Sequence, residues 1–528
     1  MPTRFTSHFK PNVTPQSEPI RSDQVKNDAG GYVWAIDEWM RLDRFLILGT
    51  EGGTYYASEK KLTRENATAI VELIQKDGPR VVRRVAEISK GGKAYKNDAA
   101  LFVLALAMSE GDGVTKWVVE TVFNEVVRIG THLFVFLEYA LAMRGWGRSL
   151  KRLVGNWYQQ KEPDALAYQM IKYQQRNGWS HRDALRLAKP IPCDEQHREL
   201  YRYAVGKPPL HDMPWPQLIW ATHGISNATV SHLCELIRTY NLPREVIPTE
   251  MLTRPEVWEA LLEKMPMTAM IRNLATLTRI GVLKPMGQWT KTVSERIVDQ
   301  DVLRKARIHP LQALAALLTY SSGKSARGSN AWEPVSAITD ALDKAFYLSF
   351  QNVEPTGKRI LLALDVSGSM NSGTVGGIPN LTPRIASAAL ALVTAATEPN
   401  YGICAFSSGM IPLDISPRQR LDDVIRKVSH LPFDGTDCAQ PMLWALKNNL
   451  SVDTFVILTD NETWCGDIHP KQALDQYRRK TGIPAKLVTV GLVANSFSIA
   501  DPNDSGMLDV VGFSTDTPVA ISDFSRSG

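Results

Sequence analysis

After Thr356 the hydrophobic pattern of this 528-residue chain changes period, and that change restricts it to folds joining a helical body to an α/β unit. Before it, ATAIVELIQKDG, DAALFVLALAMSEGDG, VVETVFNEVVRIG, HLCELIRTYN and PEVWEALLEKMP place apolar residues three and four apart, and each ends at Gly, Asn or Pro. That is the pattern of short amphipathic helices. Their long succession predicts an α-solenoid of stacked helix hairpins, with an irregular bundle as the alternative because no strict repeat period is present. After it, RILLALD, YGICAFS, TFVILTD and AKLVTVGL are continuous apolar runs of strand length separated by helical stretches. This alternation predicts a doubly wound parallel sheet covered on both faces. The expected class is therefore mainly α plus α/β, divided at residues 1–355 and 356–528, with SSGKSARGSN (residues 321–330) as a loop or linker.

In a doubly wound sheet, ligands gather at the carboxyl ends of the strands. The first strand there leaves as Asp365-x-Ser367-x-Ser369, and two other predicted strand ends bring Thr436, in FDGTDCA, and Asp460, closing TFVILTD. Hard oxygen donors of low total charge suit a Mg²⁺ that keeps several waters. A phosphatase of the haloacid dehalogenase type also keeps an aspartate after its first strand. It needs a second acid two residues later, and Ser367 stands there. A reading in which both serines only cap a turn leaves Thr436 and Asp460 unexplained.

The helical half is basic. From Gly357 onward 14 Lys and Arg stand against 17 Asp and Glu, a net of −3, which leaves +8 for the first 356 residues of a chain with formal net charge +5. Arg148, Lys151 and Arg152 share one helix face. Lys172 and Arg176 lie four apart, ahead of a helix that begins at a Ser180/Asp183 capping box and carries His181, Arg182 and Arg186. Cations at a helix N-terminus suit phosphate. Two more clusters are Arg80, Arg83, Arg84, Lys90, Lys93 and Lys96, then Arg304, Lys305 and Arg307. Any one cluster can be a solvated face; four together favour nucleic acid. Trp146, Trp157 and Trp179 are expected in the core rather than as base-stacking platforms.

A hydrophobic content of 44% describes a folded protein, and no stretch reaches the ~20 apolar residues of a membrane helix. With no signal-peptide core in MPTRFTSHFKP, a cytoplasmic location without membrane contact is expected. Cys193, Cys234, Cys404, Cys438 and Cys465 show no CxxC spacing and read as reduced thiols.

Longer strings extend the reading. Gly435-Thr436-Asp437 and Leu458-Thr459-Asp460 beside DxSxS resemble the metal-ion-dependent adhesion site of von Willebrand A domains. Gly31-Tyr32-Val33-Trp34, RFLILGTEGGTYY, QRNGWSHRDALRL, KARIHP, VEPTGKR, GTDCAQPM, TDNET and IADPND together resemble the Ro 60 kDa family, from about residue 25 to the end. The resemblance implies a ring of HEAT-like repeats, the TROVE domain, joined to a von Willebrand A domain. It implies Asp365, Ser367 and Ser369 as direct or water-linked metal ligands, and Thr436 and Asp460 alternating between direct and water-mediated contact. A sixth position would take an acidic ligand. It further implies Y or Y-like RNA on an outer basic surface, single-stranded 3′ ends of misfolded or precursor noncoding RNA in a central hole, and polynucleotide phosphorylase as a tethered exoribonuclease if the source is bacterial. The expected role is RNA quality control, rRNA maturation and stress survival by a monomer that is not itself an enzyme. Lys172, Arg176, His181, Arg182 and Arg186 match the family's RNA-binding helix region, and SGTVGGIPNLT matches its pattern less well. A metal-dependent protein-interaction adaptor, with RNA binding secondary, stays open as another class of function.

Overall fold

A computed structural model describes residues 13–49, 59–207, 216–325, 329–350, 354–432, 434–514 and 516–527, apart from residues 224, 226–227, 376–377 and 379–380. All of MPTRFTSHFKP, Thr50 to Tyr56 of RFLILGTEGGTYY, Ala326 to Gly328 of the polar interruption, Val353 of VEPTGKR and parts of SGTVGGIPNLT lie outside the described residues.

Short helices follow one another from Glu38 to Leu348 with brief connections. The helix Glu59–Gly91 bends where the sequence places its stop: Asp77 leaves the helical region and Pro79 follows, so two helical segments meet there. Neighbours pack in pairs, Asp98–Glu110 on Gly130–Arg144, Val230–Tyr240 on Pro255–Lys264, and Pro310–Ser321 on Ser336–Leu348. The succession also turns back on itself. The ring Nε2 of His309 lies 3.1 Å from the carbonyl of Lys93, 216 residues earlier.

Among the described residues there are also eleven strands: β1 (Gln24–Lys26), β2 (Tyr32–Ala35), β3 (Gln175–Arg176), β4 (Trp179–Ser180), β5 (Ile360–Asp365), β6 (Tyr401–Phe406), β7 (Met410–Leu413), β8 (Thr454–Thr459), β9 (Lys486–Gly491), β10 (Phe497–Ser498) and β11 (Met507–Val511). The main sheet has the order β11-β9-β8-β5-β6-β7. All its pairs are parallel except β6 with the edge strand β7. Alternate residues of β5 point to different cores. Ile360, Leu362 and Leu364 join an apolar cluster that continues into the helices from Val230 to Phe350, whereas Leu361 and Ala363 face a second cluster with Met442 and Tyr477. One face of the sheet thus shares its core with the helical half.

Two features depart from a simple cut at residue 355. The amino-terminal segment lies on the α/β half, because β2 pairs antiparallel with both β1 and β10. The helix Glu38–Leu48 then buries Arg44, 1% exposed at its side chain, against the sheet end. Its Nη2 donates to both carboxylate oxygens of Asp509, at 2.5 and 2.6 Å, and its Nη1 to the side-chain oxygen of Asn495 and to the carbonyl of Phe497. A Cβ on Gly491 would sit 3.2 Å from that guanidinium carbon, so glycine leaves the room it occupies. Arg44→Ala leaves Asp509 buried and unpaired. A cost of about 3–5 kcal/mol is expected, read as a lower urea midpoint than wild type.

Candidate metal centre and nucleic-acid interface

β5 and β8 run side by side in register, Leu364 opposite Leu458, so their ends deliver Asp365 and Thr459-Asp460 to one edge. The hydroxyl of Thr459 donates to Asp365 Oδ2 at 2.6 Å, and the backbone N–H of Ser367 donates to Asp365 Oδ1 at 2.9 Å. Past Ser367 the chain tightens into the 3₁₀ turn Gly368–Asn371, which brings Ser369 Oγ to 3.1 Å from Ser367 Oγ. Thr436 comes from the loop before the helix Gln440–Lys447. That loop is fastened to the end of β6 by Asp437 N donating to Ser407 O at 3.0 Å. It is fastened to the Asp460 loop by the N–H groups of Trp464 and Cys465, both donating to Thr436 O. All five expected ligands lie buried in the loops of this sheet edge, none more than 3% exposed.

The donors fit a divalent cation. Burial raises the Asp365 carboxyl, and burial together with the Asp365 charge pushes Asp460 up to about 7. Two enclosed carboxylates without a cation between them repel, and Thr436 Oγ1 is buried with no hydrogen-bond partner among the described residues. A cation held by two carboxylates and three hydroxyls removes both penalties. Two carboxylates and three hydroxyls are hard oxygen donors of the kind that suits a divalent cation such as Mg²⁺.

Sequence reasoning missed several supports. Arg384, 1% exposed in the helix Pro383–Thr397, donates to the carbonyls of Val366 and Ser367 and holds the DxSxS loop. The sequence showed it only as one cation opening an apolar helix after Thr382-Pro383. Asn495 donates to the Asp460 carbonyl. Glu462, fully buried next to the site, is pushed up to about 9 by burial and by Asp460.

On the helical half, Gln175 to Ser180 form a hairpin, β3 pairing with β4, whose turn residues Asn177 and Gly178 have φ of 50° and 78°. Two left-handed residues make the turn that an Asn-Gly pair favours, a signal the sequence carried. The hairpin presents exposed Arg176 and leads into the helix His181–Ala188, whose Ser180/Asp183 capping box is present. Arg182 and Arg186 are exposed on that helix, and Arg148, Lys151 and Arg152 on the helix Arg148–Gln159. Lys172 is half-buried, its Nζ 3.1 Å from the Tyr168 hydroxyl. Arg152 pairs with Glu120. Among the described residues, Arg148, Lys151, Arg176, Arg182 and Arg186 form no ion pair. Much of the other two clusters is neutralised: Arg84 binds Asp43 and Glu87, Lys90 Glu125, Lys93 Asp516, and Arg304 Asp301.

His181 departs from its expected role at an RNA surface. Its ring is 4% exposed, Nδ1 lies 2.8 Å from the Tyr158 hydroxyl, and Phe134 and Trp157 pack around it. Burial lowers its pKa to about 4, so it is neutral at physiological pH and packs instead of meeting phosphate. The first helical residue after a capping-box serine can face either way, and here it turns inward. Trp157 is in the core as expected, its Nε1 donating to Val127 O at 2.6 Å.

The raised Asp460 carboxyl sets a pH window for the metal. A ligand must be a carboxylate, so Mn²⁺ affinity is expected to be full above pH ~7 and to weaken by about tenfold per pH unit below it. Titrating Mn²⁺ at several pH values checks this, and Asp460→Asn should remove the step.

Comparison with known proteins assigns a family to each part of the chain. Residues 25–208 and 241–358 match the TROVE domain, and residues 359–525 match the Ro60 vWA domain. The chain is 43% identical over 525 residues to the RNA-binding protein RO60 of Deinococcus radiodurans, covering 98% of each. It is 35% identical over 592 residues to the RNA-binding protein RO60 of Caenorhabditis elegans, covering 97% of this chain and 91% of that one. The crystal structure of the Deinococcus radiodurans Ro protein aligns with a TM-score of 0.70 at 43% identity, over 93% of this chain and 99% of that one. A TROVE region followed by a Ro60 vWA domain, with identity along nearly the whole length, makes this chain a member of the Ro60 family.

Proposed function

We propose that this protein binds RNA through the basic face around the Gln175–Ser180 hairpin and acts as a scaffold in noncoding-RNA quality control. The observation that carries the reading is the set of exposed cations there, Arg148, Lys151, Arg176, Arg182 and Arg186, which form no ion pair among the described residues, while Arg84, Lys90, Lys93 and Arg304 of the other two clusters each bind an acid. Cations without an acidic partner have no ion pair to break before they meet phosphate. The relatives named RNA-binding proteins support it. Y or Y-like RNA on the outer surface, 3′ ends of misfolded or immature RNA in the central hole, and a tethered exoribonuclease such as polynucleotide phosphorylase are the finer form of this reading, as are roles in rRNA maturation and stress survival. In it the protein is a cytoplasmic monomer that catalyses no reaction itself.

The metal edge serves a second contact in the same reading. Asp365, Ser367, Ser369, Thr436 and Asp460 hold Mg²⁺, which would supply a Lewis-acidic position for a carboxylate from a protein ligand. The chain's own part is to orient the five oxygens and exclude bulk water from them. An adaptor function built on this site alone remains the alternative, favoured by the completeness of the donor set.

Salt and substitution separate the two. If about 6–10 phosphates are engaged, RNA affinity should fall by ~10³–10⁵-fold between ~50 and ~200 mM salt. Arg176 and Arg182 changed together to Glu should reduce the slope of log affinity against log salt by about 2. Unchanged binding by that double variant in a filter assay removes the named surface. Asp365→Ala should abolish Mg²⁺ binding by calorimetry while RNA affinity stays within about twofold; joint loss would make the site structural.

A further inference from the structure

We propose that the amino-terminal segment is a working part of the metal centre, with Gln16 and Asn27 as positioning residues for the two loops that carry Thr436 and Asp460. The inference rests on the metal reading above.

Gln16 is fully buried 421 residues away in sequence from the loop it holds. Its Nε2 donates to Asp437 Oδ1 at 2.7 Å and to Ile468 O at 2.8 Å, and its Oε1 accepts from the Thr463 hydroxyl. One side chain therefore joins the residue after Thr436 to a residue three past Asp460. Asn27, 4% exposed, donates from Nδ2 to Thr463 O at 2.8 Å and to Asn461 O at 3.3 Å. Its Oδ1 accepts from Gly31 N at 2.7 Å, which closes the turn back onto β2. The fit allows no side chain at the crossing: a Cβ on Gly31 would lie 1.9 Å from Thr463 O, and one on Gly466 would lie 2.3 Å from Gln16 Nε2.

These contacts act on loops rather than on ligand oxygens. Loops have few internal restraints, and a metal site tolerates only about 0.5 Å of misplacement. Gln16 and Asn27 take up backbone carbonyls and a carboxylate and so add to the Trp464 and Cys465 N–H bonds on Thr436 O in fixing the distance between Thr436 and Asp460. The metal centre then needs residues more than 300 positions outside the matched von Willebrand A region, residues 359–525.

The test uses the full chain with Mn²⁺ as the probe, free Mn²⁺ being counted by electron paramagnetic resonance, and circular dichroism melting in parallel. Gln16→Ala and Asn27→Ala are expected to weaken Mn²⁺ affinity by about 10–100-fold, the range for partners that orient metal ligands. Arg21→Ala loses the outer ion pair of the same segment, 2.7 Å to Asp501, without touching either loop, and is expected to stay within about twofold of wild type. Folded Gln16→Ala and Asn27→Ala proteins with wild-type Mn²⁺ affinity overturn the proposal, as does an equal loss in Arg21→Ala. Should the alanine variants fail to fold, Gln16→Glu, which keeps the bond from Thr463 but loses the donors to Asp437 and to the Ile468 carbonyl, decides it on the same scale. A wild-type protein that binds no Mn²⁺ overturns the metal reading itself, and this inference falls with it.

Discussion

Arg44 is a full positive charge at the seam between a helical body and a parallel sheet, and it has been taken out of water on both sides. Burying a charge is tolerable only when its partner is charged and its remaining protons are taken up. Asp509 supplies the charge, Asn495 and the Phe497 carbonyl take protons from Nη1, and only the Nε–H is left without a partner among the described residues. This geometry holds the helix Glu38–Leu48 against the strand ends, and Asn495 in turn donates to the carbonyl of Asp460. The metal edge is thereby referenced to the first helix of the helical half, and the shared apolar core from Val230 to Phe513 keeps the two halves from sliding.

The chemistry of that edge follows from enclosure. Two carboxylates and three hydroxyls sealed to within 3% exposure are each unfavourable alone. The hydrogen bonds from Thr459 and the Ser367 N–H and the hold of Arg384 on the loop carbonyls orient the donors. They leave the excess negative charge for a cation. On the other half, the sign of the surface matters less than its pairing. Four basic clusters were visible in the sequence, but neighbouring acids neutralise much of two of them, and the region around the Asn177-Gly178 turn keeps its cations exposed and unpaired.

How much was legible depended on the range of the interaction. The switch of hydrophobic period at Thr356, the strand runs β5, β6, β8 and β9, and the ligand pattern of Asp365, Ser367 and Ser369 are local, because side-chain alternation and loop spacing are written in neighbouring residues. The β3–β4 hairpin was legible from its Asn-Gly pair but lay among stronger helix signals. His181 was misplaced because a histidine in a basic segment looks like a surface group until the opposing Phe134, Tyr158 and Trp157 are known.

The sequence by itself determined the two-part architecture, the oxygen-donor pattern from which a metal edge is proposed and the basic character of the helical half, since each rests on residue type and short-range spacing. Only the tertiary structure decided that the amino-terminal residues lie on the α/β half, that Gln16 and Asn27 reach the metal loops, that Arg44 pins the seam, and which cations stay free of acidic partners. These depend on contacts across hundreds of residues, 421 for Gln16 with Asp437 and 465 for Arg44 with Asp509. No local pattern encodes such a contact, because its free energy arises only when burial brings both partners out of water together.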